Sequence, residues 1–61
     1  MKAAIDLARE ILRKEEAIRI TQSENLKRDY TKSIEDDKNE LLFYCKIKGL
    51  SIAEVFRQAQ E

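Results

Sequence analysis

Few side chains in this 61-residue chain could do chemistry: one cysteine and twelve acidic residues. There is no histidine, which removes imidazole bases, Cys-His pairs and Ser-His pairs. Neighbouring carboxylates such as Asp36 and Asp37 could exchange protons only in a cleft that raises the pKa of one of them. A chain this short hardly encloses such a cleft, so we expect that the protein is not an enzyme.

The longest charge cluster, Glu-Asp-Asp-Lys at 35–38, does not match a metal site. Calcium takes about six to eight oxygen ligands, commonly from a loop with a glycine at its turn. Zinc wants about four Cys, His or carboxylate ligands at close spacing. There is no glycine-rich phosphate loop either. We therefore interpret the cluster as a solvated helix surface, and expect no metal, no cofactor and no small-molecule substrate.

Cys45 is open to two interpretations. Thiols become reactive beside positive charge, and Lys46 and Lys48 follow it closely. It also shares a helical stripe with Leu41 and Tyr44, where a cysteine acts as a small buried hydrophobe. The packing interpretation is favoured. One unpaired cysteine fits a reducing compartment, no secretory leader is recognisable, and no apolar run approaches the roughly 20 residues of a membrane span, so we expect a cytoplasmic protein.

The chain has no proline and one glycine, which favours long helices. Apolar residues recur at three- and four-residue steps over about 3–20 and again over about 24–48. Between these stripes, Thr21 and Glu24 match a capping box, which predicts a turn and an antiparallel hairpin. One bent continuous helix is the alternative. Asp37 interrupts the second stripe where an apolar residue is expected, and a polar residue there can fix register or partner number.

A third helix is predicted at 52–60. Gly49 can adopt the left-handed conformation that closes the preceding helix, and Ser51 with Glu54 forms a second capping box. The apolar stripe of this helix must fold back on the long helix or onto a partner. The predicted fold is therefore all-α, a helical hairpin with a short C-terminal helix, in a single domain over 1–61.

The hydrophobic core of a chain this short gives only marginal stability, since a domain of about 60 residues buries only about 60% of the surface that its unfolded chain exposes. Small chains compensate with disulfides, a metal or oligomerisation, and only oligomerisation suits this composition. Residues 41–47 are apolar nearly all round, so this segment must be covered from two sides. We expect a homo-oligomer or a larger protein partner. The predicted partner-binding residues are Leu42, Phe43, Ile47, Leu50, Ile52 and Phe56.

The charges are evenly mixed along the chain. Twelve basic and twelve acidic residues give a formal net charge of zero, and no segment is a basic arm. Because nucleic-acid binding draws much of its affinity from clustered Lys and Arg, this distribution does not favour it.

Residues 41–60 resemble the helix-turn-helix pair of ribbon-helix-helix repressors. The matching core is Gly49-Leu50-Ser51-x-Ala53-Glu54-Val55-Phe56-Arg57-x-Ala59. In that family these helices form a dimeric core, and a preceding strand enters the DNA major groove. The resemblance implies a strand near 28–34, with Arg28, Tyr30 and Lys32 as candidate base readers. The same segment is similar to the helical hook by which Sin-type antirepressors dimerise.

These observations together predict a small, non-enzymatic, helical protein-protein interaction module. Such a module would act as a regulatory protein through a homodimer or through a larger partner. The alternative is a small dimeric DNA-binding transcriptional regulator.

Overall fold

Three α-helices make up most of residues 2–61, the part of the chain that the computed structural model describes. Helix α1 spans Lys2–Ile20, α2 spans Glu24–Lys48 and α3 spans Ile52–Gln60. No strand occurs within this described part. The predicted all-α fold, with a helical hairpin and a short third helix, is confirmed, and the bent continuous helix is excluded by the break at residues 21–23.

The turn between α1 and α2 is capped by a different residue from the one predicted. Ser23 is the N-cap of α2, with an extended backbone, and its Oγ accepts a hydrogen bond from the Leu26 amide at 3.3 Å. Thr21 Oγ1 instead accepts from the Ser23 amide at 3.4 Å. The predicted capping box between Thr21 and Glu24 is therefore wrong. Since α2 begins at Glu24, the capping position falls one residue before it.

The junction between α2 and α3 follows the prediction at Gly49 and at the Ser51 side chain, but the predicted capping box is incomplete. The Glu54 carboxylate accepts from Arg57 and Gln58, and no hydrogen bond to it from the Ser51 amide occurs within residues 2–61. Gly49 has φ 70° and ψ 31°, the left-handed conformation, and the Leu50 amide donates to the Cys45 carbonyl at 2.8 Å. This six-to-one bond closes a Schellman motif. Ser51 then caps α3, because its Oγ accepts from the Glu54 amide at 3.4 Å. Together these bonds give hydrogen-bond partners to a carbonyl at the end of α2 and to an amide at the start of α3, where the chain changes direction.

We expect the effect of alanine at position 49 on the free energy of unfolding to depend on whether the alanine is the L or the D isomer. An ideal Cβ there would meet no atom within 4 Å, so only the backbone conformation opposes substitution. Gly49→Ala should destabilise by about 1–2 kcal/mol, the cost of the left-handed region for an L-residue. Gly49→D-Ala, introduced by chemical synthesis, should instead stabilise by about 0.4–1 kcal/mol, because it restricts the unfolded chain without native strain. Urea unfolding measures both, and equal effects of the two isomers would contradict this explanation.

Helix α3 packs mainly on α1 and meets α2 much less. The sequence predicted that α3 folds onto the long helix α2 or onto a partner. In the structure α3 contacts mainly α1 instead. Ala4 and Ala8, one turn apart on α1, are both buried, with at most 1% of their surface exposed. Small side chains at this spacing let a second helix approach α1 closely, and we expect α3 to be that helix.

The core lies where the three helices meet. Each helix contributes one large side chain without exposed surface: Ile11 from α1, Leu41 from α2 and Val55 from α3. Cys45 is buried beside them, in agreement with the packing interpretation. With 9 residues, α3 is only about 14 Å long and α2 with 25 residues is about 38 Å. The third helix therefore covers only part of the hairpin.

Lys14 makes polar contacts across the hairpin. Lys14 Nζ on α1 lies 2.6 Å from Ser33 Oγ and 2.6 Å from Asp37 Oδ2 on α2. The hydrogen bond to Asp37 raises the pKa of Lys14 above its usual range. Asp37, which interrupts the apolar stripe, is thus paired within the chain. Its position fixes how α1 and α2 align, because a shift by one turn would separate the two charges in a partly buried site.

Candidate interaction surface

Large apolar side chains concentrate on the outside of α2. Within residues 2–61, the exposed ones are Ile20 and Leu26 near the hairpin turn, and Leu42, Phe43 and Ile47 near the other end of α2. The exposed fractions of Phe43 and Ile47 are 67% and 62%. Scattered single apolar residues are common on protein surfaces, and three within six positions of one helix make this end of α2 a candidate interaction surface.

Helix geometry divides this cluster in two. Successive residues turn by about 100°, so Phe43 and Ile47 lie about 40° apart. Both are more than about 100° from the buried Leu41 and face away from the hairpin. Leu42 lies about 140° from Ile47, on a flank of α2. We call Phe43 and Ile47 the outer patch. Leu42 belongs to a separate surface, although the sequence placed all three residues together.

The surface around Leu42 is a shallow, open depression along α2. Ile34, which is buried, lines it together with Leu42. The polar residues that also line it are Thr31, Glu35, Lys38 and Asn39. All of these belong to one helix, so the depression has no opposing wall. Small-molecule sites bury most of their ligand between converging walls. This depression has no converging walls and therefore lacks the shape of such a site.

The other three predicted partner-binding residues contribute to the protein's own core. Leu50, Ile52 and Phe56 are each half-buried and pack against the buried cluster. The six predicted residues therefore fall into three groups: the exposed outer patch, Leu42 on the flank, and this half-buried group at the start of α3. The outer patch is the most exposed of the three groups, and Leu42 is exposed to 51%.

Opposite charges flank the outer patch. Glu40 precedes Phe43 by three residues and Lys46 follows it by three, so they lie about 60° to either side of it on α2. Both side chains are exposed. Neither forms a salt bridge among residues 2–61. Asp36 is also exposed on this outer face, one turn before Glu40. The sequence analysis did not single out these charges, although their spacing relative to Phe43 was readable in it.

The carboxylate whose pKa is lowered most strongly, Glu54, belongs to α3 and is paired within its own helix. Glu54 accepts hydrogen bonds from Arg57 and from the Gln58 amide group. Arg57 first, then Gln58, lower the pKa of Glu54 to about 2. Its stabilising effect is therefore present above the ordinary pKa of a glutamate and disappears as the pH falls toward 2. An ionised carboxylate that is paired in this way stabilises its helix.

The candidate base readers do not share one face. Residues 28–34 are part of α2, where the resemblance to repressors implied a strand. On a helix, Arg28 and Lys32 lie about 40° apart, while Tyr30 points to roughly the opposite side and is half-buried. The structure thus brings two of the three together. Their role in reading bases stays a prediction.

Among residues 2–61, no three His, Cys, Asp or Glu side chains are grouped so that they could hold a metal ion. No helix in this range has the length and apolarity that membrane crossing requires. Comparison of the chain with protein-family models, with curated proteins and with solved structures gave no match.

Proposed function

We propose that this protein is a small, non-enzymatic, helical protein-protein interaction module that binds through the outer patch. One observation carries the proposal: Phe43 and Ile47, one turn apart, are about two-thirds exposed on the face of α2 that points away from the core. The module acts as a regulatory protein, through a homodimer or through a larger partner. Its unpaired Cys45 supports a reducing compartment such as the cytoplasm.

The shape of the chain supports association. Its accessible surface is 4594 Å², whereas the general scaling gives about 4,100 Å² for a compact folded monomer of this mass. Its radius of gyration is 12.2 Å, compared with about 10.5 Å for a compact domain of this length. The protein is elongated, and a partner along α2 would cover part of the additional surface.

The energies indicate that the outer patch is an anchor within a larger interface. Fully burying a Phe or Ile side chain contributes about 1.5–3 kcal/mol. Two side chains that are about two-thirds exposed therefore contribute roughly 2–4 kcal/mol. Association costs about 4–15 kcal/mol in lost translational and rotational freedom. Neighbouring residues must also be contacted, as is usual around the few side chains that dominate binding.

We expect the double substitution Phe43→Glu, Ile47→Glu to weaken association by about 100-fold or more, because it places two charges in the apolar centre of the interface. The wild-type chain, tagged and produced in cells, should elute from a sizing column in the extract well above its monomer mass. The variant should elute as a monomer. Its helix content, measured by circular dichroism, should be nearly unchanged, since both side chains are exposed.

The matched control is Ile20→Glu, Leu26→Glu. These residues are also exposed and apolar, with exposed fractions of 75% and 48%, but they lie near the hairpin turn. The control should elute like the wild type. If the outer-patch variant and the control elute alike, the outer patch is not the binding surface.

A further inference from the structure

We propose that the chain has a second, open form, in which residues 49–51 join α2 and α3 into one continuous helix and α3 docks on α1 of a second copy. The product is a dimer in which two chains exchange α3. Each α3 occupies the surface that it covers in the closed form described above, so the second copy offers it a site that already exists. The outer patch takes no part in this exchange.

The apolar stripe of α3 continues the buried stripe of α2. The buried or half-buried residues of α3 on this stripe are Ile52, Val55 and Ala59. If the helix continued through residues 49–51, all of them would lie within about 40° of Leu41, because each residue turns a helix by about 100°. In the closed form the turn at Gly49 separates the two helices, and α3 packs mainly on α1. The sequence therefore fits a continuous amphipathic helix as well as the closed form.

The backbone changes little between the two forms. On one side of the turn the Gly49 amide donates to the Cys45 carbonyl, and on the other side the Val55 amide donates to the Ser51 carbonyl. Both bonds also belong to an uninterrupted helix. The chain has no proline, and Gly49 is its only glycine. A glycine lowers the helical population only about fivefold relative to alanine, and a continuous helix gives partners to amides that the N-terminus of α3 leaves without one.

An open chain cannot cover its own core. Helix α1 has 19 residues and α2 has 25, and the two are joined by a short turn, so a straight α3 lies beyond the end of its own α1. Opening uncovers Val55, which has no exposed surface in the closed form, and the part of α1 on which α3 packs. Two open chains cover both surfaces reciprocally, and this arrangement has two-fold symmetry.

The closed form dominates for the natural sequence in dilute solution. Its short connection holds α3 near its own α1 at an effective concentration of about millimolar. A second copy competes when its concentration approaches that value, or when a substitution favours the continuous helix. We therefore expect a dissociation constant of about millimolar for the exchanged dimer.

The two isomers of alanine at position 49 test the inference. Gly49→Ala disfavours the left-handed turn and favours the continuous helix. It should therefore open each chain about 30-fold more easily and strengthen the exchanged dimer about 1000-fold, to micromolar dissociation constants. Gly49→D-Ala has the opposite preferences and should stay monomeric. Sedimentation equilibrium measures both in the Phe43→Glu, Ile47→Glu background, which removes association through the outer patch.

Ser51→Ala favours the open form without a change at Gly49. It removes the N-cap of α3 and adds helix propensity, so it should open each chain about tenfold more easily and strengthen the dimer about 100-fold. Thr31→Ala is the control, because it adds helix propensity at an exposed position of α2 far from the turn. This control should leave the chain monomeric in the same background.

Isotope-filtered NMR of the Gly49→Ala dimer identifies the exchange itself. In dimers formed by refolding ¹³C-labelled and unlabelled chains together, methyl contacts between α1 and α3 should join differently labelled chains. Contacts confined to one chain overturn the inference. A folded Gly49→Ala chain that stays monomeric at about 100 μM also overturns it, and Ser51→Ala decides in the same way if circular dichroism shows that Gly49→Ala is unfolded. Neither result affects the proposed function, which depends on the outer patch alone.

Discussion

Replacing Leu41 with alanine should leave the protein largely unfolded at room temperature. Leu41 has no exposed surface and lies where the three helices meet. Such a truncation costs about 2–5 kcal/mol, from lost apolar transfer and from the cavity left behind. A domain of about 60 residues has only about 3–9 kcal/mol of total stability. The loss is therefore comparable to the total free energy of unfolding. Circular dichroism during a urea titration should show a short folded baseline or none.

The neighbouring residue provides a matched control. Leu42 carries the same side chain in the same helix, but 51% of its surface is exposed. Leu42→Ala should therefore cost less than about 1 kcal/mol. Both variants should be compared at one protein concentration, because association would add to the apparent stability. Similar losses for Leu41→Ala and Leu42→Ala would contradict the orientation of α2.

Replacing Ala8 with leucine should detach α3 from the hairpin. Ala8 has no exposed surface on the face of α1 that buries its two alanines. Three added carbon atoms do not fit there, and overpacking of this kind costs about 1–3 kcal/mol. Alanine and leucine have similar helix propensities, so the effect comes from packing rather than from α1 itself. Hydrogen exchange should show lost protection of the α3 amides, while those of α2 stay better protected.

Ala3→Leu is the control for this prediction. Ala3 is exposed on the same helix, and its replacement should change stability by no more than about 0.5 kcal/mol. If Ala8→Leu leaves the α3 amides as protected as in the wild type, then close packing at the alanines does not hold α3.

The helix bounds could be predicted because local chemistry encodes them. Gly49 and Ser51 act on their own backbone neighbours, so their roles follow from a few adjacent residues. The first cap was harder, since Thr21 and Ser23 are both good N-caps and the choice depends on where the first turn of α2 begins. The spacing of apolar residues placed that turn only to within a few positions.

Contacts between helices were less accessible from the sequence. Asp37 reads as a break in an apolar stripe, and only the hairpin shows that Lys14 reaches it from α1. The packing of α3 on α1 was also not accessible, because alanines such as Ala4 and Ala8 look neutral in a sequence although both are buried. Leu42 and Phe43 are adjacent in the chain, and their separation becomes clear only when the buried face of α2 is known.

The packing of α3 on α1 also makes part of this fold non-local. The two helices are separated along the chain by the whole of α2. Contacts of such large sequence separation require closure of a long loop before they stabilise the chain. The two helices of the hairpin are joined by a short turn, so we expect the hairpin to form first and α3 to dock onto it afterwards.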